Sequence, residues 1–144
     1  MMRTRSLAGI FVLLVACSSG AYSQSLVEEF SFQIKDFRMD HQTQTNNLNI
    51  SVSYRYIPNI QKPDYPDFRW LVKDVETLLS NYPNKDDYWE IVNKQITSLL
   101  LSKYPGITSV TSELKVDPSS LIPYSRSSRV TRERAMIKSN RKRT

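Results

Sequence analysis

"DDYWEIVNKQITSLLLSKYPGITSVTSELKVDP", Asp86 to Pro118, holds two periodicities joined by one punctuation mark. Its first half places apolar residues at Ile91, Val92, Ile96, Leu99 and Leu100, the three-to-four spacing of one helix face. Asp87, with Glu90 three residues on, reads as the start of that helix, an acid and a capping-box partner. "KYPG", Lys103 to Gly106, supplies the stop. From Thr108 to Val116 the period drops to two, with Val110, Leu114 and Val116 on the inner side, and Pro118 closes the strand. A helix that hands over to a strand across so short a turn folds back onto the sheet it joins.

Upstream, "NYPN" separates this helix from another amphipathic run, in which Phe68, Leu71, Val72, Val75, Leu78 and Leu79 share a stripe. Asp64 and Asp67 offer a capping start for it, and Pro58, Pro63 and Pro66 mark the crossing into it. Further upstream, "LNISVSYRY" alternates without a fault: Leu48, Ile50, Val52, Tyr54 and Tyr56 on one face, Asn49, Ser51, Ser53 and Arg55 on the other. "FSFQIKDF" alternates too, until its parity slips at Phe37 and Met39, the mark of a bulge or a strand end. The two segments predict a long antiparallel hairpin with one dry face, and the turn-prone pair Asn46-Asn47 ends the polar stretch between them. Downstream, "LIPYSRSSRV" is a weaker strand whose Pro123 confines it to an edge or to the strand's beginning. The order β-β-α-α-β-β predicts an α+β fold: one antiparallel sheet with two helices on one face.

The ends carry different information. Arg3 and Arg5 precede a ten-residue apolar run from Leu7 to Ala16, too short to span a bilayer and of the length of a secretory leader. Cys17, the only cysteine, follows that run directly. Leu14-Val15-Ala16-Cys17 resembles a bacterial lipobox, which makes Cys17 the candidate lipidation site; Ala21-Tyr22-Ser23 before Gln24 is the competing cleavage site. Residues 1–23 are thus read as a signal peptide, 24–131 as one α+β domain and 132–144 as a basic disordered tail. The protein is expected to be exported, as an envelope lipoprotein or a periplasmic or secreted protein.

The formal charge of +6 is uneven. Ser125 to Thr144 holds eight Lys and Arg against one Glu, whereas Gln24 to Tyr124 holds ten basic and thirteen acidic residues. The tail suits anionic surfaces, and without interleaved aromatics it lacks the stacking platform of a nucleic-acid binder. His41 is the only histidine, and with no thiol beside it no metal site is expected. Only Gly9, Gly20 and Gly106 exist, so no glycine-rich phosphate loop can be built. No cofactor is called for.

From Tyr65 to Pro118 the order and spacing resemble the tunnelling fold (T-fold), and within it the dihydroneopterin aldolases most. "YPDFRWLVKDVETLL" is similar to that family's first helix with its opening Tyr, and the Asp86–Pro118 stretch to its second helix and third strand. The resemblance implies open-edged subunits that join into barrels around a tunnel, with ligand sites between subunits. It also implies that Glu90 is the carboxylate gripping the N–H edge of a pterin or purine ring, with Tyr65 near that ring. A carboxylate accepts two adjacent N–H donors in short, charge-assisted bonds. One departure stands out. Where the aldolases place a catalytic Lys before the Pro that follows the third strand, this chain has Asp117; Lys115 lies two positions earlier. In a strand that shift is ~6–7 Å along the same face, out of hydrogen-bond reach of the same proton. The tentative ligand-binding set is therefore Glu90, Tyr65 and Lys115, with no catalytic residue assigned and a homo-oligomeric, non-catalytic module favoured over an enzyme.

The simpler roles compete at each position. Glu90 serves equally as a capping partner of Asp87. Trp70, Tyr88 and Trp89 suit packing as well as stacking, and Glu113 with Lys115 a solvated or cross-strand charge pair.

Overall fold

The computed structural model describes residues 25–135. The leader, both cleavage readings, Cys17 and the tail beyond residue 135 lie outside the described residues. Strands β1 (Glu29–His41), β2 (Gln44–Tyr56), β3 (Ile107–Val116) and β4 (Arg126–Glu133) form one antiparallel sheet in the order β1-β2-β3-β4. Helices α1 (Phe68–Ser80) and α2 (Trp89–Lys103) fall between β2 and β3, preceded by a 3-10 turn at Lys62–Asp64. The order is the expected β-β-α-α-β-β.

The clean alternation of β2 is what anchors the core. Leu48, Ile50, Val52 and Tyr54 are all at most 1% exposed, and the register sets Ile50 beside Ile34 on one side and Leu114 on the other. α1 packs on β1 and on α2, with Leu71, Val75 and Leu79 buried; α2 covers β3 and β4. Burial of each such side chain contributes about 1.5–3 kcal/mol. The opposite face of the sheet stays polar, with Gln33, Ser51, Ser53 and Thr111 on it.

The slip of parity in β1 is a bulge between Ile34 and Phe37, with Asp36 at φ 54°. It returns Phe37, Met39 and His41 to the helix side. The hairpin turn is displaced from the expected Asn46-Asn47. It falls at Gln42-Thr43, both with positive φ, while Asn46 and Asn47 pair inside the ladder with Met39 and Arg38. The apolar register decides this: a turn at Asn46 would leave Met39 without its partner strand. Asn46 is buried and donates to the His41 and Gln44 carbonyls, which ties the hairpin shut.

The buried stripe of α2 is rotated relative to the expected one. It comprises Trp89, Val92, Asn93, Ile96, Thr97, Leu100 and Leu101, and leaves Ile91 exposed. Asn93 explains the rotation, because its amide donates to the carbonyls of Ser112 on β3 and Ser128 on β4. β4 begins after the "LIPY" segment and extends to Glu133, paired with Ser109.

A β-branched residue at positive φ is strained by about 1 kcal/mol or more. Thr43→Gly is therefore expected to stabilise the fold by about 1 kcal/mol, seen as a higher urea midpoint at unchanged slope. A lower midpoint would show that the Thr43 side chain contributes more than its backbone costs.

Candidate functional site

Glu90 occupies the second position of α2, one residue after Trp89. The expected capping box with Asp87 does not form. Tyr88 is the N-cap residue and makes no side-chain cap bond. Asp87 is instead a hub: its carboxylate accepts from Tyr82 Oη at 2.7 Å and Asn84 Nδ2 at 2.6 Å. Its carbonyl takes His41 Nε2 at 2.7 Å and Gln42 Nε2 at 3.0 Å. Glu90 is exposed, and the ion pairs among the described residues do not include it. A carboxylate in the first turn of a helix is favoured by the free N–H groups there.

Two side chains at this end of α2 carry donors without an acceptor among the described residues. The Trp89 indole Nε1 and all three Arg126 guanidinium nitrogens are shielded from solvent and have no hydrogen-bond partner among the described residues. Arg126 lies two residues before Ser128, on the helix side of β4, and Asn93 binds Ser128 one turn beyond Trp89. That places Arg126 level with the first turn of α2. An unpaired buried guanidinium costs several kcal/mol. Sequence reasoning passed over Arg126 as one more basic residue near the tail.

His41, expected in a polar loop, ends β1 and is 1% exposed, its ring 4.5 Å from that of Trp89. Trp89 thus belongs to the core, while Trp70 and Tyr88 are exposed. Among the described residues no three His, Cys, Asp or Glu side chains converge.

Tyr65 sits at the other end of the molecule. Its hydroxyl donates to Glu28 Oε2 at 2.8 Å, its ring lies 4.8 Å from that of Tyr56, and the Glu28 partner raises its pKa. It lines a cavity of about 380 Å³ with Pro63, Pro66, Tyr104 and Pro105, within the range that holds small ligands. Gly106 closes this end: an added Cβ would meet the Asp64 carbonyl at 2.9 Å, so "KYPG" needs glycine for close approach. α1 starts here, with Asp67 as N-cap accepting from the Arg69 N–H at 3.0 Å; Asp64 belongs to the 3-10 turn instead. Helix α2 separates the two ends: Tyr104, which lines the Tyr65 cavity, is 14 residues from Glu90, about 21 Å at ~1.5 Å per residue. One copy of the chain does not bring Tyr65 and Glu90 together.

Lys115 is exposed on the helix-free face, opposite Asn49. On that face Glu113 pairs with Arg129 across the strand at 3.6 Å and not with Lys115, the partner expected for it, and Glu29 finds Arg55 at 3.1 Å. Asp117 accepts from Asn47 Nδ2 at 2.7 Å and Asn49 Nδ2 at 3.1 Å.

No family model matches the chain, and no curated protein matches it. Among solved structures it is similar to one from Vibrio cholerae O1 biovar El Tor assigned as a dihydroneopterin aldolase (FolB). That match has a TM-score of 0.55 at 10% identity and covers 73% of this chain and 98% of that one. It is also similar to a dihydroneopterin aldolase from Burkholderia thailandensis bound to guanine, with a TM-score of 0.56 at 12% identity, covering 74% and 93%. The fold is the tunnelling fold. At these identities the likeness speaks of architecture, and function has to be argued from this chain's own residues.

The Asp87 hub has a signature in alkali. Burial, then the bond to Asp87, pushes the Tyr82 phenol up to about 12. The folded state holds this proton more tightly than the unfolded state. Its contribution is therefore complete below pH ~10 and lost as pH rises toward 12. Tyr82→Phe is expected to lower stability at pH 7 by about 1 kcal/mol and to flatten the fall between pH 10 and 12. An unchanged alkaline slope would remove Tyr82 from the hub.

Proposed function

We propose that this chain is an exported, lipid-anchored, non-catalytic binding and assembly module of the tunnelling fold. Its copies join edge to edge and hold a planar pterin- or purine-like heterocycle between them, gripped by Glu90. The observation that carries the reading is the separation of Tyr65 from Glu90 along the length of α2. A site that uses both needs two copies.

The free edges suit each other. β1 and its lead-in carry Glu28, Glu29, Asp36 and Asp40 against Lys35 and Arg38; β4 carries Arg129 and Arg132 against Glu133, with Arg126 turned inward. Unpaired edges of opposite charge favour a β4-to-β1 joint and disfavour like edges meeting. Such a joint is heterologous, keeps every copy pointing the same way and closes by cyclic symmetry; displaced along the strands by the distance between the two ends, it brings the Tyr65 of one copy to the Glu90 of the next. Glu90 then offers two carboxylate oxygens to adjacent ring N–H groups. The guanine of the Burkholderia structure has such an edge. Against catalysis stands Asp117, engaged by Asn47 and Asn49 where an aldolase would place a lysine, with Lys115 on the opposite face from Arg126.

Native mass spectrometry and calorimetry with guanine and neopterin test this. The expected result is a closed oligomer that binds without turnover, and a loss of about ten- to a hundredfold in affinity on Glu90→Gln. A monomer contradicts the proposal. Turnover abolished by Lys115→Ala would establish the aldolase-like enzyme instead, and an oligomer that binds neither compound a structural envelope protein.

A further inference from the structure

The cavity at Tyr65 is walled by the residues that punctuate the chain. Pro63 and Pro66 bracket Asp64 and Tyr65 on one side, and Tyr104 with Pro105 supplies the other. Behind them the Ile57 N–H donates to the Gly106 carbonyl at 3.0 Å, which ties the exit of β2 to the start of β3. Of the residues that line the space, Asp64 alone carries a charge. All of them belong to one copy of the chain, so the cavity of about 380 Å³ is complete without a second.

The two tyrosines are held in the same way. Tyr65 Oη donates to Glu28 and Tyr104 Oη to Asp74, carboxylates that are not part of the lining. Each bond is charge-assisted and fixes its ring. Each also pushes electron density from the phenol oxygen into the ring, which deepens the negative potential of the ring face that attracts cations. Lys103 Nζ, paired with Asp74, already lies 6.0 Å from the centre of the Tyr104 ring without lining the cavity. Helix α2 ends at Lys103, so the negative end of its dipole adds to the same potential.

The charges at this end are mostly engaged. Asp67 holds Arg69, Glu29 holds Arg55, and Arg134 donates to the Leu101 and Ile107 carbonyls. The ion pairs among the described residues do not include Asp64. Lys62, exposed two residues before it, is the neighbouring cation that competes for it.

From this arrangement we propose that the cavity binds a small organic cation with an alkylated ammonium head. The methyl groups pack on the Tyr65 and Tyr104 faces and on the proline rings, and the charge faces Asp64. A metal ion or a primary ammonium holds its water tightly, and a single carboxylate does not replace that shell. An alkylated nitrogen holds water weakly and brings apolar surface to apolar walls. The proposal uses neither Glu90 nor a joint between copies, and so goes beyond the heterocycle site.

The test titrates the full mature chain with choline and with 3,3-dimethylbutan-1-ol, its uncharged carbon isostere, by calorimetry and amide NMR. Choline is expected to bind one site per chain with a Kd of about 1 mM or below, shifting the Gly106 and Tyr104 amides, and at least about tenfold more tightly than the isostere. Tyr65→Leu is expected to weaken choline about tenfold, Tyr65→Phe, which keeps the ring and loses the Glu28 bond, about threefold, and Asp64→Asn about three- to tenfold. Both side chains are exposed, so these variants are expected to keep the fold. Equal affinity for choline and the isostere, shifts confined to other amides, or unchanged affinity in Tyr65→Leu and Asp64→Asn overturns the proposal. Choline binding by a chain that binds no guanine supports it, and guanine binding without choline binding overturns it while the heterocycle reading stands.

Discussion

Among the described residues β1 and β4 each have one side on which backbone N–H and C=O groups meet no strand, and two helices on one face of the sheet do not cover those edges. This constraint shapes the rest of the molecule. The 13 residues of β1 form a long edge, interrupted by the Asp36 bulge and lined by charge. β4 is shorter and rich in arginine. The guanidinium of Arg126 is turned inward without an acceptor, an arrangement that is costly in a lone subunit. The proposed joint would supply what both edges lack.

The architecture was legible wherever one physical demand dominated. The alternation of Leu48 through Tyr56 and the stop at "KYPG" announced β2 and the passage from α2 to β3, because burial on one face leaves few alternatives. Errors came where a tertiary contact outweighed a local preference. Asn46-Asn47 is the better turn by composition, yet pairing of Met39 and Phe37 carries the ladder past it to Gln42-Thr43. Asp87 and Glu90 have capping-box spacing, yet Tyr82 and Asn84 claim the Asp87 carboxylate. The stripe of α2 shifted because Asn93, polar in any hydropathy count, is bound to two strand carbonyls. His41 looked solvated and is among the most buried residues, through a ring contact with Trp89 that no spacing rule encodes.

The candidate site was legible as positions and not as a place. Glu90 and Tyr65 could be singled out from the sequence, but that they lie at opposite ends of one subunit emerges only from the topology. Arg126 illustrates the converse. Its chemistry is plain, yet only its register opposite Val116 and below the first turn of α2 separates it from the seven other basic residues near it in the sequence. The two ends of the sheet thereby acquire different characters: one receives and releases the chain, the other gathers the Asp87 hub, Glu90 and the unpartnered donors.

The central claim is that Glu90 of one copy and Tyr65 of another serve the same site. Mixed oligomers assembled from equal amounts of the Glu90→Gln chain and the Tyr65→Ala chain, each defective alone, test it most directly by guanine binding. If the two residues come from different copies, random mixing restores about a quarter of the sites. If both come from one copy, no mixture restores any, and binding stays at the level of the parent variants.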